Sequence, residues 1–394
     1  MVTNLPAEAK ARWLKYLEAR TTEEKIKALE EFLSAVPKHK GTENLVAWAR
    51  RKLSELREEL EERRQRRGGG PSYFVEKHGV AQVVLVGYTL AGKSSVFNAL
   101  TGARSRVTGI PYTTMYPVPG MMLFEDVQIQ LVDTPPFVPS LSSVSWGGKL
   151  VGLIRNSDAV AVVLDASQNP VEQLRTILGE LESSGILLRR PRGRVVIERS
   201  KAYVGIRVVR MGKLVDATED DVRKLLESYR IYGALVKVYG EVSLDDVEKA
   251  IFEASVYKPS LILLNKVDLL SEVELGRVTS EVKSLAPHAP VVPVSATTGR
   301  GLSSVPRTTF EILEVIRVYT KEPNAKEPSK EPLVVPKGST VEDAVRRIRE
   351  EFLKYFKYAR VWGPSAKYPG ERVGLDHILS DGDIIEIRTQ IRGI

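Results

Sequence analysis

Cysteine is absent from this chain of 394 residues, which rules out a disulfide framework, a thiolate metal site and a cysteine nucleophile. Histidine is nearly absent: His39, His78, His288 and His377 are too scattered to suggest a zinc site. No apolar run approaches the ~20 residues of a membrane-spanning helix. Met1 to Lys10 lacks the charged-then-apolar pattern of a secretory signal. The expectation is a cytoplasmic monomer with no membrane partner. What is present is enough chain for two or three domains of roughly 100–200 residues, and a 43% hydrophobic fraction that can fill their cores. Fifty-eight Lys and Arg against 50 Asp and Glu leave a formal charge of +8. That balance favours polyanionic partners such as RNA and says nothing about fold.

Residues 1 to about 67 read as an amphipathic helical hairpin. Trp13, Leu14, Leu17, Ile26, Leu29, Phe32, Leu33 and Val36 form one stripe, Pro37 to Gly41 breaks it, and Leu45, Ala49, Leu53, Leu56 and Leu60 resume it at three-and-four spacing. Gly68-Gly69-Gly70-Pro71 is a linker. Apolar strands at Gln82–Val86, Val118–Phe124, Val127–Val132, Ala159–Leu164, Ser260–Leu264 and Val291–Val294 alternate with helical segments, which implies a mainly parallel sheet covered on both faces. The rhythm breaks between 170 and 257. There a helix near Pro170–Ser183 precedes a basic strand-like piece, Arg192–Lys213, and helices at Thr218–Tyr229 and Ser243–Ser255. Pro323, Pro328, Pro332 and Pro336 mark a second linker, followed by a helix from Thr340 to about Tyr355 and strands near Tyr358–Trp362 and Ile384–Arg388. The predicted division is 1–70 for the hairpin and linker, 71–169 and 258–320 for two halves of an α/β domain, 170–257 for an α+β insert, and 321–394 for an α+β tail.

Gly87, Tyr88, Thr89, Leu90, Ala91, Gly92, Lys93 and Ser94 spell the phosphate-binding loop G-x-x-x-x-G-K-[ST], placed between a strand and a helix. Glycines let backbone N–H groups approach phosphates, and a helix N-terminus favours their charge. Lys93 would reach the β- and γ-phosphates and spread transition-state charge; the Ser94 hydroxyl would ligate Mg²⁺, and Ser95 lies beside it. Asn265-Lys266-Val267-Asp268 ends a strand in the N-K-x-D pattern that selects guanine. The Asp268 carboxylate can accept from the ring N–H and exocyclic amine, and the Lys266 stem would pack along the base. Ser295-Ala296 follows another strand, where a backbone N–H would meet the guanine oxygen. A P-loop kinase or ATPase needs neither element. Asp133 follows the strand Ile129–Val132 and would hold Mg²⁺ through water. Thr113-Thr114 lies between the P-loop and Asp133; Thr114 is the preferred metal-binding and catalytic threonine, the alternative being an ordinary loop pair. Pro136 stands where the D-x-x-G element has glycine, and proline has no N–H to sense a γ-phosphate. Phe137 stands where many GTPases place a water-orienting glutamine.

Together these residues resemble the Obg superfamily, and within it the developmentally regulated GTP-binding proteins. Pro111-Tyr-Thr-Thr114 looks like the superfamily's switch I. Lys38 to Glu43 looks like the family's N-terminal region, Arg223–Asp246 like its insert, and Tyr358–Gly363, Arg372–His377 and Asp381–Asp383 like a β-grasp TGS domain. The resemblance implies binding of GTP and GDP with Mg²⁺, slow GTP hydrolysis, and association with ribosomes or RNA, with a protein regulator as a further candidate partner. The alternative is a GTP- or GDP-gated scaffold with negligible hydrolysis. Leu90 occupies the P-loop position where potassium-activated relatives carry Asn or a small polar residue, so no side-chain oxygen is available there for K⁺. In Arg189–Lys213, nine basic residues against the lone Glu198 suggest an RNA-backbone contact with Tyr203 as a stacking group; a solvated strand face is the alternative.

Overall fold

The computed structural model describes residues 6–19, 21–37, 73–103, 116–199, 204–229, 231–251, 256–323, 325 and 327–389, with scattered positions between 45 and 60. Its centre is a sheet of six strands. These are β1 (Gln82–Val86), β2 (Val118–Phe124), β3 (Val127–Asp133), β4 (Ala159–Asp165), β10 (Ser260–Asn265) and β11 (Val291–Pro293), in the order β11-β10-β4-β1-β3-β2. All neighbours are parallel except β2, which returns antiparallel on β3. Every residue of β1, β4 and β10 is buried. Successive side chains enter opposite faces, so Val84 and Val86 join one core while Val83 and Leu85 join the other. The first core is closed by helices Gly147–Asn156, Pro170–Ser183 and Glu272–Leu285, the second by Lys93–Thr101 and Val305–Ile312. Numbered along the chain, the first three are α4, α5 and α8 and the other two α3 and α9, with α1 (Ala7–Glu18) and α2 (Thr22–Ala35) at the N-terminus.

Strand pairing and packing move three of the expected boundaries. Helix α5 buries Leu174, Ile177 and Leu181 in the central core, so it belongs to the α/β domain and not to the insert. The short strands β5 (Ile186–Leu187) and β9 (Val256–Tyr257) pair in parallel just inside the expected insert limits. Between them β6 (Gly193–Arg199), β7 (Ile206–Leu214) and β8 (Ala234–Val242) form a sheet ordered β6-β8-β7, backed by α6 (Glu219–Ser228) and α7 (Leu244–Ile251). The basic piece is thus two strands separated by β8, a strand the local pattern does not mark. Ser243 accepts from the Asp246 N–H and Thr218 forms a capping box with Asp221, which start the two helices.

The N-terminal helices do not stand alone. Trp13, Leu29, Phe32 and Val36, with Ala49 and Leu56 from the described positions between 45 and 60, share one core with Val222, Leu226, Tyr229, Val236 and Val247 of the insert. Lys10 lies over the Tyr229 ring, whose buried hydroxyl donates to Glu248. Arg63–Arg67 and Gly68–Pro71 lie outside the described residues.

The C-terminal sheet contains β12 (Val315–Thr320), β13 (Leu333–Pro336), β14 (Phe356–Trp362), β15 (Glu371–Val373) and β16 (Asp383–Thr389), ordered β13-β12-β16-β14-β15. Because β12 pairs only with β13 and β16, this sheet begins before the expected boundary at 320/321. One face is packed by α10 (Val341–Ile348) through Val341, Ala344 and Val345. The expected helix to Tyr355 divides at Arg349, whose extended backbone ends α10 before the short α11 (Glu351–Lys354).

Candidate nucleotide site

The site forms where β1, β3, β4 and β10 present their C-terminal ends, the crevice in which open α/β sheets place ligands. β1 delivers Gly87, whose α-carbon crosses β4 so closely that a Cβ would lie 2.3 Å from the Val163 carbonyl oxygen. Gly92 turns into α3 at φ +88, and a Cβ there would lie 2.2 Å from Asn265 Nδ2. Those two positions require glycine for separate reasons: close approach at the first, handedness plus close approach at the second. Leu90 takes φ +63 and points outward, half exposed. Its side chain is aliphatic, as expected from sequence, and offers no oxygen. The N-terminus of α3 opens at Lys93, and its first-turn N–H groups face the loop.

Lys93 is 7% exposed and donates to the Gly87 carbonyl at 2.8 Å and the Tyr88 carbonyl at 3.2 Å. Burial pulls its ammonium down to about 8, with partial compensation from Asp133. Ser94 Oγ donates to Asp133 Oδ2 at 2.6 Å, so the two oxygen groups assigned to a metal from sequence are brought into contact. Asp133 itself is fully buried at the end of β3. Thr113, Thr114 and the rest of Pro111–Thr114 lie outside the described residues.

The segment after Asp133 is pinned at every step. Thr134 Oγ1 donates to the Leu85 carbonyl at 2.6 Å, Trp146 Nε1 to the Pro136 carbonyl at 3.4 Å, and the Phe137 N–H to the Gly87 carbonyl at 2.9 Å. The Phe137 ring is 1% exposed and meets Tyr88 edge-on. Phe137 is therefore a core residue that fastens this segment to the P-loop, with no polar group to aim at water.

On the base side, Asn265 Nδ2 donates to the Ala91 carbonyl at 2.9 Å and its Oδ1 accepts from the Ala296 N–H at 3.2 Å. One amide thus ties the P-loop to the Ser295-Ala296 turn. The Ser295 N–H bonds the Arg300 carbonyl, and its hydroxyl accepts from the Thr298 N–H. Both backbone N–H groups of the Ser295-Ala296 turn accordingly have partners within the protein. Asp268 lies on a single 3₁₀ turn, exposed, beside Lys266 at φ +65.

One residue beside the site escaped the motif reading. Asp165, at the end of β4 and 4% exposed, accepts from Lys266 Nζ at 2.6 Å and from the Ser167 N–H and hydroxyl. It anchors the lysine whose stem would lie along the base. The available signal was positional: Asp133, Asp165 and Asn265 each end a buried parallel strand on the same side of the sheet.

With this geometry in place, relatives of the chain can be compared. A family model described as a 50S ribosome-binding GTPase matches residues 82–191. A model for the C-terminal region of that domain matches 203–315, and a TGS domain matches 316–389. An uncharacterized GTP-binding protein of Halobacterium salinarum is 34% identical over 368 residues, covering 93% of this chain and 98% of its own. The developmentally-regulated G-protein 3 of Arabidopsis thaliana is 32% identical, covering 94% and 100%, and the developmentally-regulated GTP-binding protein 1 of Xenopus laevis is 30% identical, covering 92% and 98%.

Proposed function

The chain belongs to the developmentally regulated GTP-binding proteins, and from that premise we propose that it hydrolyses GTP slowly and acts as a ribosome- or RNA-associated switch in translation. Slow turnover rests on one observation: Phe137 is buried and its N–H is spent on Gly87, while Pro136 has no N–H at all. Neither position offers a free N–H or a polar side chain to orient a water against the γ-phosphate. Lys93 supplies positive charge between the phosphates, and Asp268 and Lys266 hold the base. Ser94 and Asp133, two hard oxygen donors already in contact, suit Mg²⁺. When bound, that ion neutralises charge on the phosphate oxygens. Water placement then falls to backbone elsewhere in the site or to a partner. The ribosomal reading is supported by the description of the matching family, the +8 charge and the exposed Arg194, Arg207 and Lys213 of the insert sheet. The protein is expected to work as a cytoplasmic monomer.

A second reading follows from the same buried Phe137: a scaffold gated by GTP or GDP, with negligible turnover. Single-turnover hydrolysis with and without ribosomes, paired with co-sedimentation at two salt concentrations, separates the two. The switch reading expects partner-stimulated cleavage and binding that weakens steeply with salt. Absence of any stimulated cleavage would leave the scaffold; salt-insensitive association would remove the RNA contact.

A further inference from the structure

The β-grasp sheet of the TGS domain has one face packed by α10 and a second face with two different fates. Residues alternate along β14: Ala359 and Val361 enter the core, so Tyr358, Arg360 and Trp362 lie on the other side. The same parity on β16 places Ile384, Glu386 and Arg388 on that side, in register with Trp362, Arg360 and Tyr358. On β15, Arg372 pairs with Arg360 and its guanidinium stands 4.8 Å from the Tyr358 ring centre. At the other end of this face the G domain is in the way. Arg317 and Tyr319 of β12 bond Glu125 and Asp126 of the β2–β3 turn, and Val334 of β13 joins the second core of the G domain. The β16–β14–β15 end has no such cover among the described residues.

This uncovered area combines two aromatic rings with an excess of cations. Arg360, Arg372, Arg388 and Lys321 lie here, and among the described strand residues on this side the carboxylate is Glu386, which is buried and already bonded by Arg388 at 2.7 Å. Lys321 Nζ stands 4.7 Å from the Trp362 ring centre, so each ring has a cation at its face. Tyr358 and Trp362 are four residues apart on one strand, about 13 Å. We propose that this part of the TGS sheet is a platform for single-stranded RNA. Two or three bases stack on Tyr358 and Trp362 while the phosphates between them meet Arg360, Arg372 and Lys321. An acidic protein segment would use the cations but has no need of rings flanked by them. A duplex keeps its bases stacked internally and cannot lay them on the sheet. The inference deepens the RNA-associated reading and rests on it.

The test is fluorescence anisotropy of a labelled ten-residue oligouridylate with the full chain in the presence of GDP. Tyr358→Ala is expected to weaken binding about tenfold, and Tyr358→Phe, which keeps the ring, to bind as the native chain does. Arg360→Gln/Arg372→Gln is expected to flatten the log–log salt dependence by about 1.4, on roughly 0.7 per phosphate contact for a single strand. GDP affinity and melting temperature should not move in any of these variants. The proposal is overturned if the variants bind the oligomer as the native chain does. It is equally overturned if an RNA duplex of the same length binds as tightly, if polyglutamate competes equally, or if no binding occurs at low salt. Ribosome co-sedimentation that persists alongside any of these results keeps the wider reading and removes only this surface. Loss of co-sedimentation with intact, Tyr358-dependent oligomer binding does the reverse.

Discussion

Lys93 carries the most charge-sensitive position in the site. In the folded chain its ammonium is pulled down to about 8 by burial, against an ordinary 10.5. The unfolded chain keeps that proton up to about pH 10.5, so below pH 8 both states are charged and burial is an unrelieved cost. Above pH 8 the folded state sheds the proton and its stability rises relative to the unfolded state. Nucleotide binding runs the other way, because phosphates favour the charged form. Calorimetry of GDP binding at pH 8 in two buffers of different ionisation enthalpy should therefore show uptake of about half a proton, falling towards zero at pH 6.5; no uptake at pH 8 would disprove the shift. At the base, Asp268→Asn should reverse the preference of guanine for xanthine nucleotides, since an amide can donate to the extra xanthine oxygen. An unchanged ratio of GDP to XDP affinity would contradict the base assignment. The motif residues of the P-loop and the guanine element were legible because each is a short local string. Asp165 was not, since its value depends on β4 and β10 lying in register, Asp165 beside Asn265.

At the scale of elements, Arg317 is the clearest link between two modules. It is 13% exposed on its side chain, bonds Glu125, Asp126 and Asp381, and stands over the rings of Phe124 and Phe310. Tyr319 adds a bond to Asp126, and burial followed by that carboxylate pushes its phenol up to about 12. The turn so held joins β2 and β3, and β3 ends at Asp133. Arg317→Ala should cost about 1–3 kcal/mol, discounted because its carboxylate partners are partly solvated. The TGS domain should also become separable from the G domain, visible as faster proteolysis between 321 and 332 with GDP affinity retained. A digestion rate equal to the native one would show that Val334 and its neighbours suffice. Nothing in the local pattern of Val315–Thr320 marks it as a TGS strand, because the assignment is made by partners 15 to 65 residues away.

For the molecule as a whole, the shared core of the N-terminal helices and the insert is the unexpected feature. Two segments separated by more than a hundred residues close one interior, with Trp13 at 1% exposure among Leu29, Phe32 and Tyr229. Trp13→Ala should cost about 3–5 kcal/mol, and the loss should appear in hydrogen exchange of β6, β7 and β8 while β1 and β4 stay protected. Equal loss in both sheets would mean a single cooperative unit instead. By itself the sequence marked the nucleotide motifs: the glycines with Lys93, and Asn265 with Asp268, are two short strings whose members sit within a few residues of one another. It also determined that the strands alternate with helices, because hydrophobic period is local. Which helix belongs to which core, where β8 inserts between the two basic strands, and which half of the TGS sheet the G domain covers were decided only by tertiary packing. Burial there depends on surfaces brought together across the whole chain, and no window of sequence contains both sides.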